Sequence, residues 1–133
     1  GALLRNTNMK YNCKNVLLKP QTKESQLTRF VDTNKALKIP IAHGDGRYYC
    51  DADTLKTLQK NDQILFKYCD ANGKITETAN PNGSIENIAG ICNEGRNVFG
   101  MMPHPERASE LDLGNTDGRI LFESLINKVL ETA

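Results

Sequence analysis

The sequence lacks an excess of charge of either sign. Its 17 basic and 16 acidic residues leave a formal net charge of +1. A broad positive surface is what holds a phosphate backbone, so this balance argues against nucleic acid as a partner. Long apolar runs are lacking as well, because stretches such as 16–18 are far shorter than the roughly 20 residues that span a bilayer. We therefore expect neither nucleic-acid binding nor membrane association.

Two kinds of motif are also missing. The four cysteines are widely separated and form no C-x-x-C pair, which argues against a zinc ribbon and a redox dithiol. Free thiols are typical of a reducing compartment, so we expect a cytoplasmic protein. No G-x-x-x-x-G-K-[ST] loop is present, and the chain is therefore not expected to bind ATP. The cysteines are Cys13, Cys50, Cys69 and Cys92.

What the sequence does contain is the composition of an ordinary globular domain. Its 133 residues are 38% hydrophobic and 25% charged, and a chain of this size builds a single core. Apolar alternation and turn residues predict a mixed α/β fold with some antiparallel pairing. The predicted strands lie within 9–19, 37–41, 64–69, 88–91 and 97–102, with 75–78 pairing back across a turn at 70–73. The predicted helices begin at an N-cap Asp53 and at an N-cap Thr116 or Asp117.

The most informative segment for chemistry is 101–107, Met-Met-Pro-His-Pro-Glu-Arg, which ends a predicted strand. Ligands commonly bind at strand ends in α/β proteins. Pro105 favours an extended His104, which would let the carboxylate of Glu106 reach back to the imidazole. A carboxylate on one ring nitrogen fixes the tautomer and leaves the other nitrogen to act as a base. The pattern is compatible with a catalytic His104–Glu106 dyad and also with a plain polar pair.

A second candidate site is the glycine-rich corner at 42–46, directly after the predicted strand at 37–41. Its glycines would let the backbone approach a ligand closely. An ordinary turn with a solvated His43–Asp45 pair is an equal alternative. For the corner at 80–84, Asn-Pro-Asn-Gly-Ser, a turn is favoured over a contact with a ligand or partner.

Five segments, taken in order, resemble one family. They are 1–6 (GALLRN), 39–48 (IPIAHGDGRY), 80–84 (NPNGS), 88–91 (IAGI) and 97–108 (NVFGMMPHPERA). Each is weak alone, but the ordered set resembles the small glutaminase subunits of formylglycinamidine ribonucleotide synthetase, which are class I glutamine amidotransferases. The resemblance implies a flavodoxin-like three-layer α/β sandwich that here lacks its N-terminal part. Residues 1–133 would then be the C-terminal portion of a single amidotransferase domain.

The resemblance also implies site residues. In this family a histidine and a glutamate of the P-H-P-E-R segment complete a Cys-His-Glu triad, and these roles would fall to His104 and Glu106. By the same resemblance, His43, Gly44 and Asp45 would lie near the glutamine pocket and bind substrate.

The family's nucleophile is a cysteine in a G-I-C-N-G-type turn between a strand and a helix, and no matching segment occurs here. We expect it in a segment upstream of Gly1, because the chain opens abruptly and resembles a fragment. Cys92 lies in a similar Gly-Ile-Cys-Asn run, but another predicted strand follows it. Without a helix N-terminus to stabilise its thiolate, Cys92 is expected to pack in a hairpin and not to act as the nucleophile.

The function implied by the resemblance is hydrolysis of glutamine, which supplies ammonia for converting formylglycinamide ribonucleotide to formylglycinamidine ribonucleotide in purine biosynthesis. The glutaminase itself would need no cofactor and no metal, since an ATP-dependent synthetase subunit of the same complex uses ATP and Mg²⁺. Alone, the chain is expected to be inactive, because it lacks the nucleophile. It is also expected to be unstable or prone to association, because part of its sheet would be uncovered.

Two alternatives stand beside this interpretation. The first is a metal-dependent hydrolase in which His43, Asp45, His104 and Glu106 bind zinc or manganese, since two imidazoles and two carboxylates suit either ion. The second is a non-catalytic module that only docks a partner.

Overall fold

A computed structural model describes residues 1–132. Its strands and helices are β1 (Ala2–Leu4), β2 (Asn12–Pro20), β3 (Leu37–His43), β4 (Arg47–Tyr49), α1 (Ala52–Lys60), β5 (Ile64–Cys69), β6 (Ile88–Cys92), β7 (Phe99–Met101) and α2 (Arg119–Thr132). Five strands form a sheet in the order β3-β2-β5-β6-β7, and β1 pairs with β4 in a separate two-stranded sheet. All of these pairings are antiparallel. The predicted mixed α/β fold with antiparallel content is confirmed.

The core is built around β5, the central strand of the larger sheet. Five of its six residues are buried, and Phe66 and Tyr68 are fully enclosed. A strand covered on both faces reads as a nearly continuous apolar run, which is how 64–69 appears in the sequence. Leu18 of β2 and Ile39 of β3 are also fully buried in this cluster, so the strands next to β5 share the same core.

The segment 75–78, expected to pair back on β5, forms no strand. Both edges of β5 are already occupied, one by β2 and the other by β6. Residues Glu77–Ala79 make a 3₁₀ turn instead, and the carbonyl of Thr76 accepts a hydrogen bond from the side chain of Asn87 (2.6 Å). The turn at 70–73 is present, with Gly73 at a positive φ of 74°.

The helices form where periodicity predicts them, but their starts differ from the prediction. Asp51, and not Asp53, caps α1, because its carboxylate accepts from the backbone N–H of Thr54 (2.7 Å). The carboxylate of Asp117 accepts from the backbone N–H of Lys38 (2.8 Å), so it ties the chain before α2 to β3. Neither helix within residues 1–132 is both long and apolar enough to cross a bilayer.

The sheet curves so that its two edge strands converge near residue 104. Met101 ends β7, and three residues later the backbone N–H of His104 donates to the carbonyl of Pro40 in β3 (2.8 Å). The three residues from Met101 to His104 span at most about 11 Å. In a flat sheet, the edge strands β7 and β3 would lie four strand spacings apart, or about 19 Å. The segment after β7 therefore closes one end of a curved sheet, and this is where the candidate site lies.

Candidate active site

The imidazole of His104 and the carboxylate of Glu106 form a hydrogen-bonded dyad. Nδ1 of His104 lies 2.7 Å from Oε1 of Glu106, which confirms the contact predicted from the sequence. The route differs from the expected extended chain. Pro105 begins a 3₁₀ turn, Pro105–Ala108, with Glu106 in its first turn, and the backbone N–H of Arg107 donates to the carbonyl of His104 (3.1 Å). It is this turn that brings the carboxylate back to the ring.

Backbone hydrogen bonds on both sides hold the dyad in place. Before it, the N–H of Met102 donates to the carbonyl of Ala89 in β6 (3.1 Å), and His104 is bonded to β3 as described above. After it, the N–H of Gly118 donates to the carbonyl of Ala108 (2.7 Å). A reactive group anchored to two strands and to the start of a helix loses little freedom when it meets a substrate.

The dyad is electrostatically poised for proton transfer. Partial desolvation raises the pKa of Glu106. Hydrogen bonds from its own backbone and from His104, together with the charges of His104 and Arg107, outweigh this effect and leave the pKa below its usual value. Glu106 is therefore ionised at neutral pH and accepts from Nδ1–H of His104, so the lone pair of the ring lies on Nε2. The side chain of His104 is 32% exposed, which leaves Nε2 accessible to a reactant.

In the glycine-rich corner His43 is buried and does not form the solvated pair with Asp45 that an ordinary turn would give. The ring of His43 is 7% exposed and contacts the amides of Asn6 and Asn82 at its two nitrogens. Burial, and then the charge of His104, lowers the pKa of His43. The carbonyl of Gly44 accepts from the backbone of Asn6 (2.9 Å), and Asp45 is exposed. Thus Asp45 is exposed and Gly44 is half-buried, whereas the imidazole of His43 is enclosed.

Asn6 and Asn82 are polar residues of the site that the residue patterns did not single out. Both are fully buried, at 0% and 1% exposure. Each lies in a segment that carried the resemblance, but nothing in the sequence indicates that these segments meet at His43.

The metal hypothesis finds no geometric support. Its proposed ligands are His43, Asp45, His104 and Glu106. Within residues 1–132 no group of three or more His, Cys, Asp or Glu side chains is placed to hold a metal ion. The physical reason is that both nitrogens of His43 face amides, while Nδ1 of His104 is taken by Glu106.

Cys92 packs in a hairpin, as the sequence predicted. It ends β6, pairs with Phe99 of β7 and belongs to the hydrophobic core. Desolvation raises its pKa, and the same cause raises the pKa of Cys69, so both are neutral thiols at physiological pH. These are poor nucleophiles, since the thiolate is the reactive form.

A cleft of about 280 Å³ adjoins the dyad segment. Its wall is mainly apolar and comes from β1, Tyr48, β6 and the end of β7. Met102 is the lining residue nearest in sequence to the dyad, and neither His104 nor Glu106 lines the cleft. The cleft therefore borders the strand that delivers the dyad and is distinct from the dyad's own surface.

Comparisons with known proteins place the chain in a family. A family profile described as a CobB/CobQ-like glutamine amidotransferase domain matches residues 1–118. The phosphoribosylformylglycinamidine synthase subunit PurQ of Koribacter versatilis is 56% identical over 126 residues, covering 95% of this chain and 54% of that protein. PurQ of Aquifex aeolicus is 53% identical over 127 residues, covering 96% of this chain and 56% of that protein.

The fold is similar to that of a solved structure. A chain in the structure of PurLQS from Thermotoga maritima matches with a TM-score of 0.78 at 38% identity, covering 97% of this chain and 53% of that chain. This similarity supports the predicted α/β fold class. The chain spans about half the length of the curated relatives it matches. With a family profile covering most of its residues, the chain belongs to the CobB/CobQ-like glutamine amidotransferase family.

Proposed function

We propose that this chain supplies the proton-transfer dyad for glutamine hydrolysis in an amidotransferase subunit of phosphoribosylformylglycinamidine synthase. The observation that carries the proposal is the 2.7 Å hydrogen bond between His104 and Glu106. This hydrogen bond leaves Nε2 of His104 accessible as a base. The chain also belongs to a family of glutamine amidotransferases, in which such a base has a use. About half the length of the relatives lies outside this chain, and we take residues 1–133 as the C-terminal part of one domain.

The nucleophile in this proposal is a cysteine outside these residues. Of the four thiols present, Cys50, Cys69 and Cys92 are buried. Cys13, although exposed, lies near the start of the paired strand β2 and not at a turn before a helix. Cys50 lies two residues before α1, but it is only 4% exposed and packs in a hydrophobic cluster with Tyr48 and Leu58. The other three cysteines lie in strands and have no helix N-terminus that would stabilise a thiolate.

The proposed reaction uses His104 for two proton transfers in each of its two halves. Nε2 accepts the proton of the cysteine thiol as sulfur attacks the side-chain amide carbon of glutamine. His104 then donates this proton to the departing nitrogen, so that the C–N bond breaks, ammonia leaves and a glutamyl thioester is formed. In the second half, His104 takes a proton from water as the water oxygen attacks the thioester. As the C–S bond breaks, His104 returns this proton to the departing sulfur, so that glutamate leaves and the thiol and the neutral imidazole are both restored.

Glu106 orients and stabilises His104 in both halves of the reaction. By accepting from Nδ1–H it fixes the tautomer and stabilises the imidazolium that forms in both halves of the reaction. The half-buried Gly44 and the exposed Asp45, on the corner before β4, are the proposed contact for glutamine.

The proposed fate of the ammonia is transfer to an ATP-dependent synthetase subunit, which uses ATP and Mg²⁺ to convert formylglycinamide ribonucleotide to its amidine. The relatives are named as synthase subunits, and the structural relative comes from PurLQS, which supports this assignment. We place the protein in the cytoplasm, where its four free thiols would be typical.

The test is glutamine-dependent ammonia release by the full-length subunit with its synthetase. His104→Ala should lower kcat by about 10²–10⁴-fold, the usual contribution of general acid–base catalysis. Glu110→Gln, which alters an exposed carboxylate nearby, serves as the matched control and should leave the rate unchanged. When ammonium salt replaces glutamine as the source of ammonia, the synthetase should still form the amidine in the His104→Ala enzyme. Equal glutaminase rates for wild type and His104→Ala would refute the proposal, and no turnover by wild type would favour a docking module.

A further inference from the structure

The buried amides around His43 form a network that the dyad mechanism does not use. Asn6 precedes β2, His43 ends β3 and Asn82 lies in the turn at 80–84. Each of the three side chains is at most 7% exposed. A buried polar network is stable only if every member finds its partner, so the orientation of each amide carries information.

The amide of Asn6 can face His43 in only one way. Its Nδ2 donates to the carbonyls of Lys10 (2.8 Å) and His43 (2.9 Å). Its Oδ1 therefore points to Nδ1 of His43 (3.1 Å) and accepts from the backbone N–H of Gly46 (3.3 Å). Exchanging the oxygen and nitrogen would set an oxygen against two carbonyls and an N–H against another N–H.

The amide of Asn82 is fixed by the same reasoning. Its Oδ1 accepts from the backbone N–H (3.1 Å) and the hydroxyl (2.7 Å) of Ser84. Its Nδ2 donates to the carbonyl of Gly46 (2.9 Å) and faces Nε2 of His43 at 3.4 Å. Nε2 of His43 therefore meets a donor, while Nδ1 meets an acceptor.

These two contacts define the protonation state of the ring. Nδ1 must carry the hydrogen, because Asn6 presents only an oxygen to it, and Nε2 must carry the lone pair. Protonating Nε2 would set two N–H groups against each other away from water, which is costly. We propose that His43 is a positioning residue, locked by Asn6 and Asn82 as the neutral Nδ1–H tautomer, which supports the segment leading to His104 without adding a charge beside the dyad.

The link to the dyad runs through Gly46 and Met102. A Cβ at position 46 would overlap both the His43 ring and the thioether of Met102, so the two side chains pack next to each other over this glycine. Met102 lies two residues before His104 and is bonded to β6. The ring thus supports the segment that holds the reacting imidazole, a role that rests on the proposed function.

The position of His43 near His104 explains why its ring should be neutral. His104 is the titratable group whose charge acts on His43. The flanking charges point elsewhere, since Asp45 is exposed and Arg47 donates from Nε to the carbonyl of Arg5 (3.2 Å). Repulsion between two cations is mutual, so a charged His43 would oppose the imidazolium that His104 forms during turnover. A ring fixed as neutral gives mechanical support without that penalty.

The first test does not depend on activity. Long-range ¹H–¹⁵N spectra of the full-length subunit distinguish the two neutral tautomers and the imidazolium, and are recorded between about pH 8 and pH 5.5, the range over which an ordinary histidine titrates. His43 should remain in the Nδ1–H form throughout. The Nε2–H tautomer, or a proton gained within this range, would overturn the proposal even if the assigned function is correct.

The second test compares two substitutions of His43 in the same assembled enzyme. His43→Ala removes the support and should lower kcat by about 100-fold, the cost of a small misplacement of a reacting group. His43→Asn is neutral at every pH and keeps a donor towards Asn6. It should recover most of that loss, to within about 10-fold of wild type, with the pH profile of kcat unchanged.

Three outcomes would overturn the positioning role. These are wild-type activity in His43→Ala, an Asn variant as impaired as the Ala variant, and loss of one limb of the pH profile in His43→Asn, which would make His43 an acid or base. If His43→Ala fails to fold, the tautomer spectra and the Asn variant still decide. A fully active His104→Ala enzyme would refute the proposed function and leave the tautomer assignment standing.

Discussion

Replacing Glu106 by glutamine tests the charge of the dyad separately from its shape. The two side chains have the same length, so the amide oxygen of glutamine still reaches Nδ1–H of His104, where the carboxylate now lies at 2.7 Å. Only the negative charge is lost. The expected effect is a lower kcat with little change in KM for glutamine, because the carboxylate matters most when His104 becomes an imidazolium.

The size of the effect follows from exposure. A hydrogen bond to a charged group contributes roughly 1.5–3 kcal/mol. The side chain of Glu106 is 58% exposed, and solvent screening places its contribution at the lower end, about 1.5 kcal/mol. That corresponds to about a tenfold loss in kcat. Glu106→Ala removes the hydrogen bond as well as the charge and should be worse than the glutamine variant.

The assay is steady-state glutamate formation by the full-length subunit in complex, with Glu110→Gln as the control for loss of one exposed carboxylate. A Glu106→Ala enzyme within twofold of wild type would refute the reasoning, since His104 would then work without an orienting partner. An increase in KM with unchanged kcat would instead assign Glu106 to substrate binding.

Three further predictions concern the surrounding structure. Because burial and the charge of His104 lower the pKa of His43, the unfolded chain binds its proton more readily. The stability contributed by the neutral ring should therefore be complete above about pH 6.5 and decrease as the pH falls. In urea unfolding, the free energy of unfolding of the wild type should decrease between about pH 6.5 and pH 5, and that of His43→Asn should decrease less. Gly118→Ala should shift the turn that carries Glu106, because a Cβ at 118 would overlap the backbone of Pro105. A loss of about 1–3 kcal/mol in the free energy of unfolding and a lower kcat are expected, whereas Gly100→Ala, with no atom within 4 Å of the added Cβ, should change neither. Cys92→Ser should retain glutaminase activity but lose about 1–2 kcal/mol of stability, measured by urea unfolding, because a hydroxyl replaces a buried thiol; abolished ammonia release in a folded variant would make Cys92 the nucleophile.

The features that the sequence predicted correctly are those decided by neighbours along the chain. The strand at 64–69 is apolar except for Lys67 because both of its faces are covered, and the hairpin of β6 and β7 closes over a short turn. The contact between His104 and Glu106 was predictable because only Pro105 separates them. Even there, the conformation was not, since a 3₁₀ turn and an extended chain both allow two such residues to meet.

Two predictions failed for different reasons, one because distant strands occupy the expected partner and one because of local backbone geometry. The segment 75–78 has the composition of a strand, but β2 and β6 already occupy both edges of β5. Asp53 is a reasonable N-cap, yet Asp51 has the extended backbone that a cap requires, with ψ at 168°. In both cases the residues have the local preference that the prediction used, but a tertiary contact or a backbone angle decides the outcome.

His43 shows why the chemistry of a site is harder to predict than its fold. A histidine followed by Gly-Asp-Gly suggests an exposed ligand, and the residue type alone leaves open whether the ring is charged, neutral or a metal ligand. Its state is determined by Asn6, 37 residues away, and Asn82, 39 residues away, whose own orientations depend on backbone groups in three different loops. A change at Asn82 therefore alters the permitted charge of a ring that it does not adjoin in sequence. The charge of His43 beside the dyad is thus set by the folded chain. Substitutions of Asn6 or Asn82 should therefore affect the enzyme through His43 and not through contact with substrate.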